Sequence, residues 1–399
     1  MFETRLQEIV QQYQETLNRR NRPLPSVNGI YERFAYPVLT RAHIPLTWRF
    51  DLDEKRNPFL LERIGVNAAF NAGAIEYNGK ICLVVRVEGM DRKSFFAVAE
   101  SETGVDGFRF RQQPIVIPAL DDKETNFYDM RLTKHEDGWI YGLFCVEKHD
   151  DSQPADPSAA TAACGVVRTK DLERWERLPD IVSDSQQRNV VLHPEFVDGK
   201  YALYTRPSDS FIEVGGGNGI GWALTDTMDG AVIGKETIID ERIYHTIKEV
   251  KNGQGAPPIK TPRGWVHVPH GVRAHAGGLR YVLYLMISAP DDPARVLHRP
   301  GGYLIAPYGE ERTGDVPGVV FSNGMVMREN GEVLIYYAGS DTRTYVIRTH
   351  VDRLLDYGEN TPEDGYTTHA SVQQRLELIE KNNAVLQAHA SDALYQNCR

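Results

Sequence analysis

The residues of this chain that could do chemistry form an unbalanced set: one candidate acid, Asp129, and the cations Arg188, Arg206, Lys251 and His270. A glycosidase that inverts its substrate needs a second carboxylate to activate water, and this set offers cations in its place. Cations hold a phosphate, because arginine meets its oxygens in bidentate fashion and lysine adds a point charge. A phosphate held there is already an anion and can attack without a general base. The sequence contains no HExxH, Walker or GxSxG pattern, which removes the common zinc protease, nucleotide-hydrolase and esterase readings. The stretch Gly215 to Gly221, GGGNGIG, misses the GxGxxG spacing and has no βαβ frame, so it reads as a flexible loop rather than a dinucleotide site. His267 and His270 stand three apart and on a strand point to opposite faces, so no metal site is expected.

Residues so far apart in sequence need a repeated framework to bring them together. Short runs of Val, Ile, Tyr and Phe broken by turns make the chain all-β between its ends, and one pattern recurs: strand, glycine turn, apolar strand. The turn glycines are Gly79, Gly138, Gly199, Gly264 and Gly331, separated by 59, 61, 65 and 67 residues. Five copies at a near-constant step, each with room for about four strands, predict a five-bladed β-propeller. Its innermost strands line a central axis, so residues beside the hairpins should converge there. Ahead of the turns stand Asn71, Asp129, His193 and Asn323, and after them Arg86, Arg206, His270 and Asp341. Polar groups gathered on one axis are costly unless solvated or used, which makes the axis the expected site.

The ends of the chain differ from its middle. Phe2, Leu6, Ile9, Val10, Tyr13 and Leu17 form one apolar stripe, and Val372, Leu376, Ile379 and Leu386 form another, which predicts flanking N- and C-terminal α-helices that pack on the body or on a neighbouring subunit. Residues 1–25 are therefore expected to carry a helix, 26–356 the propeller, and 357–399 a linker, Tyr357 to Thr368, followed by the second helix. A formal charge of −10 over 399 residues argues against nucleic acid or a membrane surface as partner, since both are polyanions. Four scattered cysteines, no apolar leader and no sequon fit a cytoplasmic protein.

Six runs carry a resemblance. RVEGMDRKSFFAVAES from Arg86, FYDMRLTK around Asp129, RNVVLHPEF from Arg188, YTRP at Arg206, KNGQGAPPIKTPRGWVHVPHGV from Lys251 and YYAGSDT ending at Thr342 resemble glycoside hydrolase family 130, in order, from about residue 60 to about residue 350. The resemblance implies a five-bladed propeller that phosphorolyses β-mannosides with inversion, using inorganic phosphate as co-substrate and no cofactor. It implies Asp129 as general acid, passing its proton through the 3-hydroxyl of the mannosyl unit, and a raised pKa would suit that task. It implies a phosphate pocket of Arg188, Asn189, Arg206, Lys251 and His270, and sugar contacts from Asn71, Arg86, Arg92, Tyr128 and Asp341. Arg86 and Arg92 compete for one family arginine, and either could instead pair with Glu88 or Asp91. Many members carry the acid in a Glu-Asp-Pro-Arg context; here it is Tyr-Asp-Met-Arg, which looks like the subgroup acting on 4-O-β-mannosyl-glucose. Glucose is therefore the expected acceptor, with mannose and N-acetylglucosamine as the other choices, and a β-mannosidase or a mannoside-binding propeller as competing readings. A homo-oligomer is also implied, with a hexamer among its sizes.

Overall fold

The computed structural model describes all residues except 64, 211–218, 364–369, 397 and 399. Gly215 to Asn218 of the glycine-rich stretch thus lie outside the described residues, and Gly219 to Gly221 open a strand. The body is β-sheet. Strands β1 (Val66–Tyr77), β2 (Lys80–Gly89) and β3 (Ser94–Ser101) form a meander, as do β4 (Glu124–Lys134), β5 (Ile140–His149), β6 (Ala160–Thr169) and β7 (Glu176–Ser183). The next sheet holds β8 (Val191–Leu192), β9 (Tyr201–Thr205), β10 (Gly219–Thr225) and β11 (Thr237–Glu241). Then β12 (Lys251–Gly253) pairs with β15 (His270–His275), which pairs in turn with β16 (Gly278–Leu283), while β13 (Ile259–Thr261), β14 (Gly264–His267) and β17 (Met286–Ser288) form a companion sheet. Last come β18 (Val320–Met327), β19 (Glu332–Gly339) and β20 (Arg343–His350).

The chain returns to where it began. Gly73 in β1 pairs with Asn323 in β18, and the short strand Tyr31–Arg33 pairs antiparallel with β20, Tyr31 opposite Thr349. Apolar layers fill the gaps between consecutive sheets: Val84, Phe96, Met130 and Phe144 between the first two, Leu143, Val166, Leu192 and Leu203 between the second and third. Val266, Leu285, Ile335 and Ile347 lie between the fourth and last, and Leu83, Val85, Leu334 and Tyr336 between the last and first meanders, which β1 joins into one sheet. The third and fourth sheets meet through aromatic edges, Tyr204 on His267 and His193 on Trp265. Each of the five turn glycines has a positive φ, the left-handed backbone that glycine adopts at no steric cost.

Two end helices depart from a single pattern. Helix α1 (Phe2–Asn18) docks on its own chain, burying Phe2, Ile9 and Leu17, the first two against Leu60 and Phe50. Helix α2 (Val351–Asn360) occupies part of the expected linker: Leu354, Leu355 and Gly358 press on the body, where a Cβ on Gly358 would meet Ile287, so 357–360 are held helical. Pro362 then stands where the chain leaves the helix, and the linker residues 364–368 lie outside those described. Helix α3 (Ser371–Ala388) buries none of its side chains and leaves Val372, Leu376 and Ile379 exposed. Among the described residues no helix is long and apolar enough to cross a membrane.

Candidate active site

Three strand irregularities build the site. In β1 the pairing with β2 shifts between Phe70 and Gly73, in β4 the pairing with β5 shifts between Tyr128 and Arg131, and in β18 the pairing with β19 shifts between Ser322 and Gly324. Such bulges re-aim the residue they carry. Here they carry Asn71, Asp129 and Asn323, the first two with left-handed φ of 46° and 61°, a conformation that Asn and Asp tolerate best among non-glycine residues.

Asp129 is the hub of an acidic half. Its Oδ1 accepts from Asn71 Nδ2 at 2.8 Å and from Arg86 Nη1 at 3.0 Å. Arg86 is sandwiched between the rings of Phe70 and Tyr128, 4.6 Å from each centroid, and also pairs with Glu88 and donates to Ser94 Oγ. Arg86 therefore holds both acids, whereas Arg92 stands exposed in the turn between β2 and β3, where its carbonyl accepts from Asn126. Burial alone would raise the Asp129 carboxyl, but Arg86, Arg131 and the Asn71 amide outweigh it and hold the group below its ordinary value. Asp129 thus lies on the low side of its ordinary value, opposite to the raised pKa expected for the acid. The carboxyl that is raised is Asp341: burial pushes it up to about 7 against the pull of Arg86, with Asp129 and Glu88 adding negative charge. Asp341 sits in the turn between β19 and β20 with φ of 51°.

The other half is cationic. Arg188 Nη2 donates to Tyr128 Oη at 3.0 Å, joining it to the neighbour of the acid. Arg206 Nη1 donates to His270 Nε2 at 3.0 Å, and burial together with Arg206, Arg131 and Lys251 keeps that imidazole neutral, its pKa well below the ordinary value. Lys251 is pushed down to about 7 by burial and then by Arg206 and Arg188. Arg206 falls to about 10 for the same reasons, burial first and Arg188 next. Cations held this closely are an arrangement that an anion would stabilise. Gly253 makes the crowding possible: a Cβ there would lie 2.6 Å from the His270 ring.

Not every expected residue faces these two halves. His193 is buried elsewhere, its Nδ1 3.0 Å from Tyr204 Oη and its ring 4.2 Å from that of Trp265, because its strand end is covered by the aromatic layer between sheets. Asn189 directs its amide inward, Oδ1 to Arg131 and Nδ2 to the Gln254 carbonyl. Asn323 is fully buried in its bulge. His267 ends β14 and bonds Ser288, while His270 opens β15 in the other sheet, so the two are parted by a break between strands and not by alternation along one. Two residues escape a reading of the sequence. Tyr281 lies beneath Lys251, whose Nζ is 5.5 Å from its ring, and feels Arg206, Asp341, Arg188 and Asp129 at once; it is hidden in an apolar run. Arg131 is the other, two residues beyond the acid. Among the described residues no three His, Cys, Asp or Glu side chains gather as a metal site would need.

With this geometry in hand, comparison with known proteins becomes informative. Residues 33–360 match the family described as beta-1,4-mannooligosaccharide phosphorylase, and the chain belongs to that family, glycoside hydrolase family 130. It is 58% identical to the 4-O-beta-D-mannosyl-D-glucose phosphorylase of Bacteroides fragilis over 96% of this chain and 98% of that one. It is 32% identical to the beta-1,4-mannooligosaccharide phosphorylase of Ruminococcus albus, covering 85% of this chain and 93% of the other. Among solved structures, the beta-1,2-mannobiose phosphorylase of Listeria innocua in complex with beta-1,2-mannobiose shares the fold with a TM-score of 0.67 at 22% identity, covering 83% of this chain and 99% of that one.

Proposed function

We propose that this protein phosphorolyses 4-O-β-D-mannosyl-D-glucose. Phosphate attacks the anomeric carbon of the mannosyl unit, the carbon–oxygen bond to glucose breaks, and α-D-mannose 1-phosphate and glucose are released with inversion. Asp129 supplies the proton to the departing oxygen through the mannosyl 3-hydroxyl. Arg188, Arg206, Lys251 and His270 hold the phosphate, with Asn189 behind Arg188, and Asn71, Arg86, Tyr128 and Asp341 hold the mannosyl unit. Arg92, exposed at the rim, meets the acceptor. No metal or organic cofactor takes part.

The observation that carries this reading is the division of the site. The carboxylates Asp129, Glu88 and Asp341 share Arg86 on one side, while the neighbours acting most strongly on Lys251 are two more cations, Arg206 and Arg188. A hydrolase would use a carboxylate where this site keeps cations. The family nevertheless contains hydrolases of beta-1,2 mannosidic linkages, one of which shares the fold with a TM-score of 0.61 at 18% identity over 84% of this chain. The test is glucose release from 4-O-β-mannosyl-glucose with and without millimolar phosphate, followed by phosphorus NMR. Release that needs phosphate and yields the α-phosphate is expected. Release without it would make the protein a mannosidase, and binding with no release would make it a lectin.

The sheets are read as five blades of one propeller, the reading supported by the cyclic order of apolar layers and by five turns at near-equal steps. The protein acts in the cytoplasm as a homo-oligomer, with the exposed stripe of α3 as subunit contact and a hexamer as the expected size. Removing 371–399 and weighing the particle in solution tests this; an unchanged mass would exclude that helix.

A further inference from the structure

We propose that Arg131 is a positioning residue that locks the general acid to the phosphate pocket, a role that rests on the phosphorolytic reading above. Arg131 is 1% exposed and makes three bonds to three different parts of the site. Its Nη1 donates to the main-chain carbonyl of Asp129 at 2.8 Å, its Nη2 to Asn189 Oδ1 at 2.7 Å, and its Nε to the Gly255 carbonyl at 3.4 Å. The first acceptor is the residue whose left-handed backbone aims the acid. The second adjoins Arg188, and the third lies two residues beyond Gly253, on the segment that begins with Lys251. A planar fork with fixed donor directions can tie three segments at set angles, which a lysine on a flexible stem cannot.

All three acceptors are neutral, so the guanidinium keeps its charge for the site. It lies 5.5 Å over the Phe321 ring, near enough to pull the Asp129 carboxyl down and to press on Arg206 and His270 as a like charge. The other titratable groups around it are Cys145 and Cys164. A cation that merely stabilised the fold could be paired with a carboxylate of its own. This one stands between the acid and the anion site and acts on both, so the orientation of one is tied to the orientation of the other.

The experiment compares wild type with Arg131→Lys and Arg131→Met, taking kcat, KM for phosphate, KM for the disaccharide and the pH dependence of kcat, with thermal melting to select conditions where each variant is folded. Arg131→Lys keeps the charge and loses the fork: kcat should fall about a hundredfold, the loss that a misplacement near 1 Å brings, and the alkaline limb of the profile should stay in place. Arg131→Met loses both. A carboxyl freed of a nearby cation rises in pKa, and an acid must keep its proton to act, so the alkaline limb of this variant should move to higher pH. Asn189→Ala, which removes one of the three ties, should raise KM for phosphate while leaving KM for the disaccharide within a factor of about two. Folded variants with wild-type kcat and an unmoved limb would overturn the proposal. If wild type itself released glucose without phosphate, the phosphorolytic reading would fail instead, and the two failures are told apart by that single control.

Discussion

Asn71 and Asp129 occupy equivalent places in successive sheets, each on a bulge with left-handed backbone, and the amide of the first donates to the carboxylate of the second at 2.8 Å. The acid is thus held by its structural counterpart one repeat earlier. Together with Arg86 this bond holds the Asp129 carboxyl below its ordinary value. On the proposed reading, a phosphate dianion beside Arg188 would raise that carboxyl by adding negative charge.

Asp129→Asn keeps the bonding pattern on one side and removes the proton. Turnover of mannosyl-glucose should fall by about 10³-fold or more, within the range seen for general acids, while phosphate and sugar still bind. With a p-nitrophenyl mannoside, whose leaving group needs no proton, much of the loss should return. Steady-state rates on the two substrates check this, and equal losses on both would remove Asp129 from its role.

Lys251 is pushed down to about 7 by burial and by Arg206 and Arg188, which brings its titration into the neutral range. An anion restores the usual preference for the ammonium, so binding should draw a proton from solvent, most strongly near pH 8, and affinity should decline as pH rises through 7. Titration calorimetry in two buffers of different ionisation enthalpy measures the uptake. Lys251→Arg should lack the part due to the lysine. Lys251→Met should raise KM for phosphate about ten- to a hundredfold, the worth of one charge-assisted hydrogen bond.

Gly253→Ala places a methyl 2.6 Å from the His270 ring and 3.2 Å from Arg206 Cδ. The ring is buried and has little room to retreat, so the expected cost is about 1–3 kcal/mol of stability with loss of phosphate affinity. Thermal melting and KM for phosphate report the two effects, and a fully active Gly253→Ala would show that the pocket yields.

Arg86→Ala strips both Asp129 and Glu88 of their shared partner. Leaving buried carboxylates unpaired costs about 3–5 kcal/mol where one member of a buried pair is removed, and activity should fall at least a hundredfold. Arg92→Ala, at an exposed turn, should change only KM for the disaccharide, by a few fold. Kinetics of the two variants separate the arginines that sequence alone leaves in competition.

Much of this was legible in the residues. The five turn glycines mark the repeat, and Asp129, Arg86, Arg206 and His270 stand beside its hairpins, whereas Lys251 enters through its charge and the motif it opens. What resisted was direction. His193 stands at the same point of its repeat as Asp129, yet its strand carries no bulge and its ring is drawn into the aromatic layer with Trp265. Asn189 adjoins a pocket cation but turns its amide to Arg131. The low pKa of Asp129 and the high one of Asp341 follow from which carboxylate Arg86 touches, a three-dimensional fact with no trace in spacing. Tyr281 looked like one more apolar strand residue because the side it presents to Lys251 is its ring face.

The pairing of Tyr31–Arg33 with β20 spans more than three hundred residues of chain, Tyr31 lying opposite Thr349. On a ribosome adding about 5–20 residues per second, that first strand emerges tens of seconds before its partner exists. The intervening sheets can form in order as they appear, but this pairing waits until β20 has been made. For that interval a three-residue edge is exposed and unpaired. Its brevity, with Glu32 and Arg33 making up two of its three residues, leaves little edge for another chain to pair with.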